Sequence, residues 1–158
     1  MKAKLLTLLV ALTAICSVAQ AENINLNIIP EPVQSIITGD SCYRLGRGAV
    51  IRTEADLRFP AEYLAEYTDH YLGMPLKVEV PQPVKRRGKT IAVTEPLAHG
   101  VRLVNLNNGK VSGGYRLKIT HDNGVVIEGN DAAGVFYGVQ TLIQLLPTQA
   151  GVLPRLPE

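Results

Sequence analysis

The sequence has no tryptophan, two cysteines, and only two phenylalanines and six tyrosines among 158 residues. So few aromatics argue against a platform on which sugars or single-stranded bases stack. An excess of one charge is also missing. Lys and Arg number 16 against 14 Asp and Glu. Both extra cations, Lys2 and Lys4, sit in a stretch that reads as a targeting peptide, so the remainder balances at 14 against 14. A neutral domain without a basic stripe cannot neutralise a row of phosphates, which sets nucleic acid aside as a partner. The chain is also far shorter than the roughly 250 residues of an α/β barrel.

Catalytic motifs are equally scarce. The histidines, His70, His99 and His121, form no His-Glu-x-x-His or His-x-His arrangement, and there is no cysteine pair, so no metal site is expected. No Gly-x-Ser-x-Gly elbow occurs. Gly129 to Gly134 has the glycine spacing of a phosphate loop, but Val135 and Phe136 stand where Lys and Ser or Thr are needed. No cofactor is therefore expected. The acidic residues are scattered, with no adjacent Asp-Glu pair to suggest glycosidase carboxylates.

What is present begins with a secretory pattern over residues 1–21. Lys2 and Lys4 precede the apolar run Leu5 to Ile15, and Ala19-Gln20-Ala21 supplies a small-x-small cleavage site. The run is shorter than the about 20 residues of a spanning helix, so export to a periplasm or beyond is expected, with no membrane span after cleavage. Cys42 would then remain alone, read as a small buried hydrophobe. Residues 148–158, rich in proline, read as a connector toward something absent rather than a closing strand or helix.

Between these ends, periodicity predicts a strand over Ile24 to Ile28 and a hairpin of Tyr43–Leu45 with Ala49–Arg52. A helix follows from Pro60 to Leu72, with Ala61, Leu64, Tyr67 or Thr68 and Tyr71 inward, stopped by Gly73. Further strands are expected near Leu76–Val80, Ile91–Val93 and Val101–Leu106, with Lys85-Arg86-Arg87 in an exposed loop. Tyr115–Ile119 and Val125–Ile127 form a hairpin through Asn123-Gly124, and Asn130 or Asp131 caps a last helix reaching Leu146. The fold class expected is α+β, a two-layer sandwich with a mixed or antiparallel sheet and two helices on one face.

Three stretches carry a resemblance. Ile28-Ile29-Pro30-Glu31-Pro32, Gly114 to Ile119 with Val125 to Gly134, and above all Gly134 to Pro147 resemble the family 20 glycoside hydrolases, the β-N-acetylhexosaminidases. The likeness runs from about Asn23 to Pro147 and concerns only the non-catalytic domain that precedes the barrel. It implies that residues 22–147 are an accessory domain whose partner is a catalytic (β/α)8 barrel of the same parent enzyme, with glycan substrate reached only through that barrel. In the family a barrel glutamate is the general acid, and the substrate's own acetamido oxygen is the nucleophile. The His-x-Gly-Gly-Asp-Glu signature of that barrel has no counterpart in this chain, so no catalytic role passes to any residue here. The alternative reading is a stand-alone module that binds a carbohydrate or cell wall.

The last helix suggests where a barrel would dock. Ala132 to Leu146 contains no charged residue, whereas a surface helix should carry a polar face. At about 100° per residue, Ala132, Phe136, Val139, Ile143 and Leu146 share one side, expected to pack on the sheet. Gly134, Tyr137, Gly138, Thr141 and Leu145 fall opposite and are expected to form a small, largely apolar interface for the barrel, its two glycines letting another backbone approach closely.

Overall fold

The computed structural model describes residues 26–37, 42–81, 84–86, 89–91, 97–148 and 155–157, the backbone alone at 84–86, 89–91 and 155. The expected signal peptide lies outside the described residues. Short strands β1 (Cys42–Arg44) and β2 (Val50–Arg52) lead through a 3-10 turn at Ala55–Leu57 into helix α1 (Arg58–Leu72). After it come β3 (Lys77–Glu79), β4 (Val84–Arg86), β5 (Lys89–Ile91), β6 (Gly100–Asn105), β7 (Tyr115–Thr120) and β8 (Gly124–Gly129). Helix α2 (Ala132–Leu145) and strand β9 (Arg155–Pro157) complete the order.

Five strands form the main sheet in the order β3-β2-β6-β8-β7. The first four run parallel, and β7 closes the edge antiparallel to β8. Alternation sorts their side chains. Ile51, Val101, Leu103, Val125 and Ile127 are buried beneath the helices, with Val78, Leu117 and Ile119 packed beside them. Leu57, Ala61, Leu64 and Leu72 come down from the α1 side, and Val135, Val139, Leu142 and Leu146 from α2. The two helices touch each other above the sheet. This is the expected two-layer α+β sandwich with a mixed sheet.

Local signals explain its helix ends. Gly73 adopts φ 61 and donates its N–H to Asp69 O at 3.0 Å, closing α1 in an αL cap, and Met74 N–H reaches Thr68 O at 2.9 Å. The Asp131 carboxylate accepts the Gly134 N–H at 2.7 Å and caps α2. The β7–β8 hairpin turns at His121 to Asn123, with Gly124 at φ 64.

Several expectations are corrected. Leu26 to Ile28 form no strand: Asn27 has φ 54, which breaks the extended path, and the next backbone group, Ile29, bonds to the Gln144 side chain instead of a ladder. The Tyr43–Leu45 and Ala49–Arg52 strands exist but do not pair with each other, because β3 and β6 occupy both edges of β2. Strand β1 pairs instead with β9, Tyr43 opposite Leu156. The end of the expected connector is thus partly strand. Cys42 is exposed rather than buried, since Tyr43 takes the inward position on β1. Lys85 and Arg86 lie on a two-stranded ribbon, β4 with β5, not in a loop. Helix α1 starts at Arg58, so Pro60 is in its first turn but not its first position, and Leu72 rather than Tyr71 ends its buried stripe.

Candidate interface site

The outer side of the helix layer is aromatic. Phe59 and Tyr63 on α1 meet Phe136 on α2 with ring centroids 5.7 and 5.5 Å away, and Tyr137 extends the group from Phe136 at 6.4 Å. Phe59 is 67% exposed and Tyr137 52%. Farther along α1, Tyr71 meets Tyr67 in a tilted pair and His70 edge-on. Glu62, Glu66 and Asp69 are exposed on the same helix, Glu62 bonded to Arg58 at 2.7 Å. Apart from Tyr43 and Tyr115, which face the interior and the sheet, every aromatic ring of the chain sits on these two helices. Phe59, Tyr63, Tyr67 and Tyr71 recur every fourth residue, a spacing that makes one row along a helix and would have revealed this seam.

The five residues expected to form the interface divide. Gly134, Gly138 and Thr141 are buried against their own domain. A Cβ on Gly134 would strike the Gly114 carbonyl oxygen, and one on Gly138 would strike the Ile127 side chain and approach the Tyr115 ring. Thr141 Oγ1 shares a 2.6 Å hydrogen bond with Tyr115 OH. Gly134 does admit a close backbone, but it is that of the β6–β7 connection, and Gly138 admits side chains of β8 and β7. Tyr137 alone of the five is plainly exposed; Leu145 is half-buried and rests on the core, so a charge there would disturb the fold. Ala132, placed inward by the wheel, is exposed, and Phe136 and Ile143 are only half-buried. Helix α2 is therefore turned by part of a face: Val135 enters the core and Phe136 swings out to the α1 rings.

Beside the C-terminal half of α2 runs a groove of about 850 Å³, bounded by the segment 26–37 and by β7. Its outer wall is tied down at Ile29. That residue donates its N–H to Gln144 Oε1 and accepts from Gln144 Nε2, both at 2.9 Å. The two motifs quoted from opposite ends of the sequence, Ile28 to Pro32 and Gly134 to Pro147, thus join through one side-chain amide.

Among the described residues no three His, Cys, Asp or Glu side chains cluster as metal ligands. No described helix is long and apolar enough to cross a membrane. The Asp131 carboxyl is held below the usual aspartate range by the Ser112 hydroxyl first, at 2.7 Å, and then by the Gly134 and Gly113 N–H groups. A carboxyl depressed in the folded state adds stability above its unfolded value, about 3.9, and loses it as pH falls through the lower folded value. Asp131→Asn should therefore flatten the acid limb of stability below about pH 4. Urea midpoints measured from pH 6 down to 2 check this, and an unchanged acid limb would remove the assigned role.

The family model described as glycosyl hydrolase family 20, domain 2, matches residues 25–158. Among similar proteins, the β-hexosaminidase of Porphyromonas gingivalis is 29% identical over 124 residues, 78% of this chain and 14% of that protein. The Streptomyces plicatus N-acetyl-β-hexosaminidase, solved in complex with Thio-NAglucal, superposes with a TM-score of 0.63 at 32% identity, covering 83% of this chain and 24% of that one. The family 20 β-N-acetylhexosaminidase of Streptomyces coelicolor gives 0.61 at the same identity and coverage. The chain spans no more than about a quarter of these relatives' length. With the sheet order, the capped α2 and the two joined motifs on one framework, the chain belongs to glycosyl hydrolase family 20, as its non-catalytic domain 2.

Proposed function

We propose that this domain serves an exported β-N-acetylhexosaminidase, which removes terminal N-acetyl-hexosamine residues from glycans, by docking its helix layer against the enzyme's catalytic barrel. The observation that carries the docking is the exposed seam of Phe59, Tyr63, Phe136 and Tyr137. Helices on one sheet face of a lone two-layer domain should present a wet outer side, and large exposed apolar patches mark interfaces. Most of each relative lies outside the match, which leaves a partner of ample size in the same chain. Export rests on the pattern of residues 1–21. The chemistry belongs to the barrel; this domain's part is structural.

The test compares the 158-residue chain with the product of its complete reading frame. The chain alone should not hydrolyse a chromogenic N-acetyl-β-glucosaminide, whereas the complete product should. In the complete product, Phe59→Ser should lower the thermal midpoint by several degrees, yet change the chain alone by about 1 kcal/mol or less, the scale of an exposed ring pair. Turnover by the chain itself, or a complete product indifferent to Phe59→Ser, would defeat the reading. The seam is also a poor sugar platform, because its rings are tilted 30° to 63° from one another and offer a pyranose no common plane. Calorimetry should find N-acetylglucosamine oligomers binding more weakly than about 1 mM; micromolar affinity would favour the binding-module reading.

A further inference from the structure

The sheet face turned away from the helices carries a charge pattern that the neutral balance of the chain conceals. Alternation places Arg52 on β2, Lys77 and Glu79 on β3, Arg102 on β6, Arg116 and Lys118 on β7 and Glu128 on β8 there, with Val50, Val104 and Val126 between them. Among the described residues, five cations and two anions stand on this face. The register sets Glu79, Arg52, Arg102, Val126 and Lys118 in one line across five strands, successive strands lying about 4.8 Å apart. Glu79 lies 3.8 Å from both Arg52 and Lys77, and Glu128 pairs with Lys118 at 3.2 Å. Arg116 is exposed at the sheet edge and has no ion pair among the described residues. Val126 is only 4% exposed although it stands on this face, between Arg102 and Lys118 in the register.

The geometry points to a docking surface for an anionic glycan, one bearing sulfate or carboxylate groups along its length, bound by the row Arg52–Arg102–Lys118 with Arg116 at the edge. Charge complementarity selects a polyanion. The form of the face selects among polyanions. Single-stranded nucleic acid needs rings to stack on, and none of the chain's aromatics faces this side. Duplex DNA is read by a helix or ribbon entering a groove, not by a flat sheet. A lipid surface needs protruding apolar side chains to insert, whereas Val126 is buried and Val50 and Val104 are half-buried. The surface is on the opposite layer from the aromatic seam, so it is independent of the docking proposed above.

Retention of the 158-residue chain on immobilised heparin, a sulfated glycan, tests this, with neutral dextran and single-stranded DNA as parallel matrices. The chain should be held by heparin and pass through the other two. With five cations engaged, affinity should fall by roughly two to three decades between about 50 and about 200 mM salt, as counterion release requires. Arg116→Ser and Lys118→Ser, each checked for an unchanged melting curve, should each weaken retention about fivefold, the scale of one cation at a polyanionic surface. Arg58→Ser, on the helix layer, should not. Failure to bind heparin, equal loss in Arg58→Ser, or equal retention on DNA overturns the assignment.

Discussion

Gly134→Val should destabilise the domain by about 3 kcal/mol or more, at a position where helix propensity taken alone forecasts a gain. Glycine costs about 1 kcal/mol relative to alanine in a helix interior, so any side chain ought to help. The packing decides otherwise. The first carbon added would run into the carbonyl oxygen of Gly114, a backbone atom that cannot rotate aside. That oxygen accepts the Asn130 N–H at 2.8 Å, and the Gly134 N–H is itself the donor to Asp131. Relief requires α2 to lift, which strains the cap and the Asn130 bond together. Overpacking alone costs about 1–3 kcal/mol, and each bond lost roughly 1 more. Urea denaturation of Gly134→Val and of the smaller Gly134→Ala gives the answer. A stabilised Gly134→Ala would show that propensity wins and that the helix moves freely.

Leu156→Asp should cost about 3–5 kcal/mol, as expected for removing a core leucine and forcing a carboxyl into its place. Leu156 is fully buried, opposite Tyr43 on β1 and within the same core as Leu45. Tyr43 in turn accepts the Gly100 N–H at 3.0 Å at the start of β6, and burial pushes its phenol above the usual value. The substitution therefore reaches the main sheet through one tyrosine. Were residues 148–158 only a connector, the change would fall within about 0.5 kcal/mol, as surface changes do. Equilibrium unfolding separates the two by several multiples of its error.

What sequence reasoning located well has a local cause. The Asn123-Gly124 turn, the Asp131 cap and the Gly73 stop are each decided within a few residues of themselves, and each appears where the pattern put it. What it misplaced is decided by distant partners. Cys42–Arg44 and Val50–Arg52 have strand-like residues, but their pairing depends on β9, β3 and β6, none of which the intervening turn can announce. The phase of α2 failed for a related reason. Its residues are apolar almost all round, so the wheel had no charged side to orient it, and the rings of Phe59 and Tyr63 settled which way Phe136 turned. The candidate interface was thus legible as an apolar helix and illegible as a set of side chains.

The β1–β9 ribbon also sets how the domain responds to a pull. Cys42 lies opposite Pro157, so the chain enters β1 and leaves β9 at the same end of the ribbon. Tension between those two tails would peel the hydrogen bonds apart one after another, like a zipper, rather than load them all at once. The parallel neighbours β6 and β8 run in the same direction, and tension applied along them at opposite ends must shear several bonds together. Under force the ribbon should therefore yield first and at low load, lengthening the tether at the carboxyl end while the five-stranded sheet stays intact.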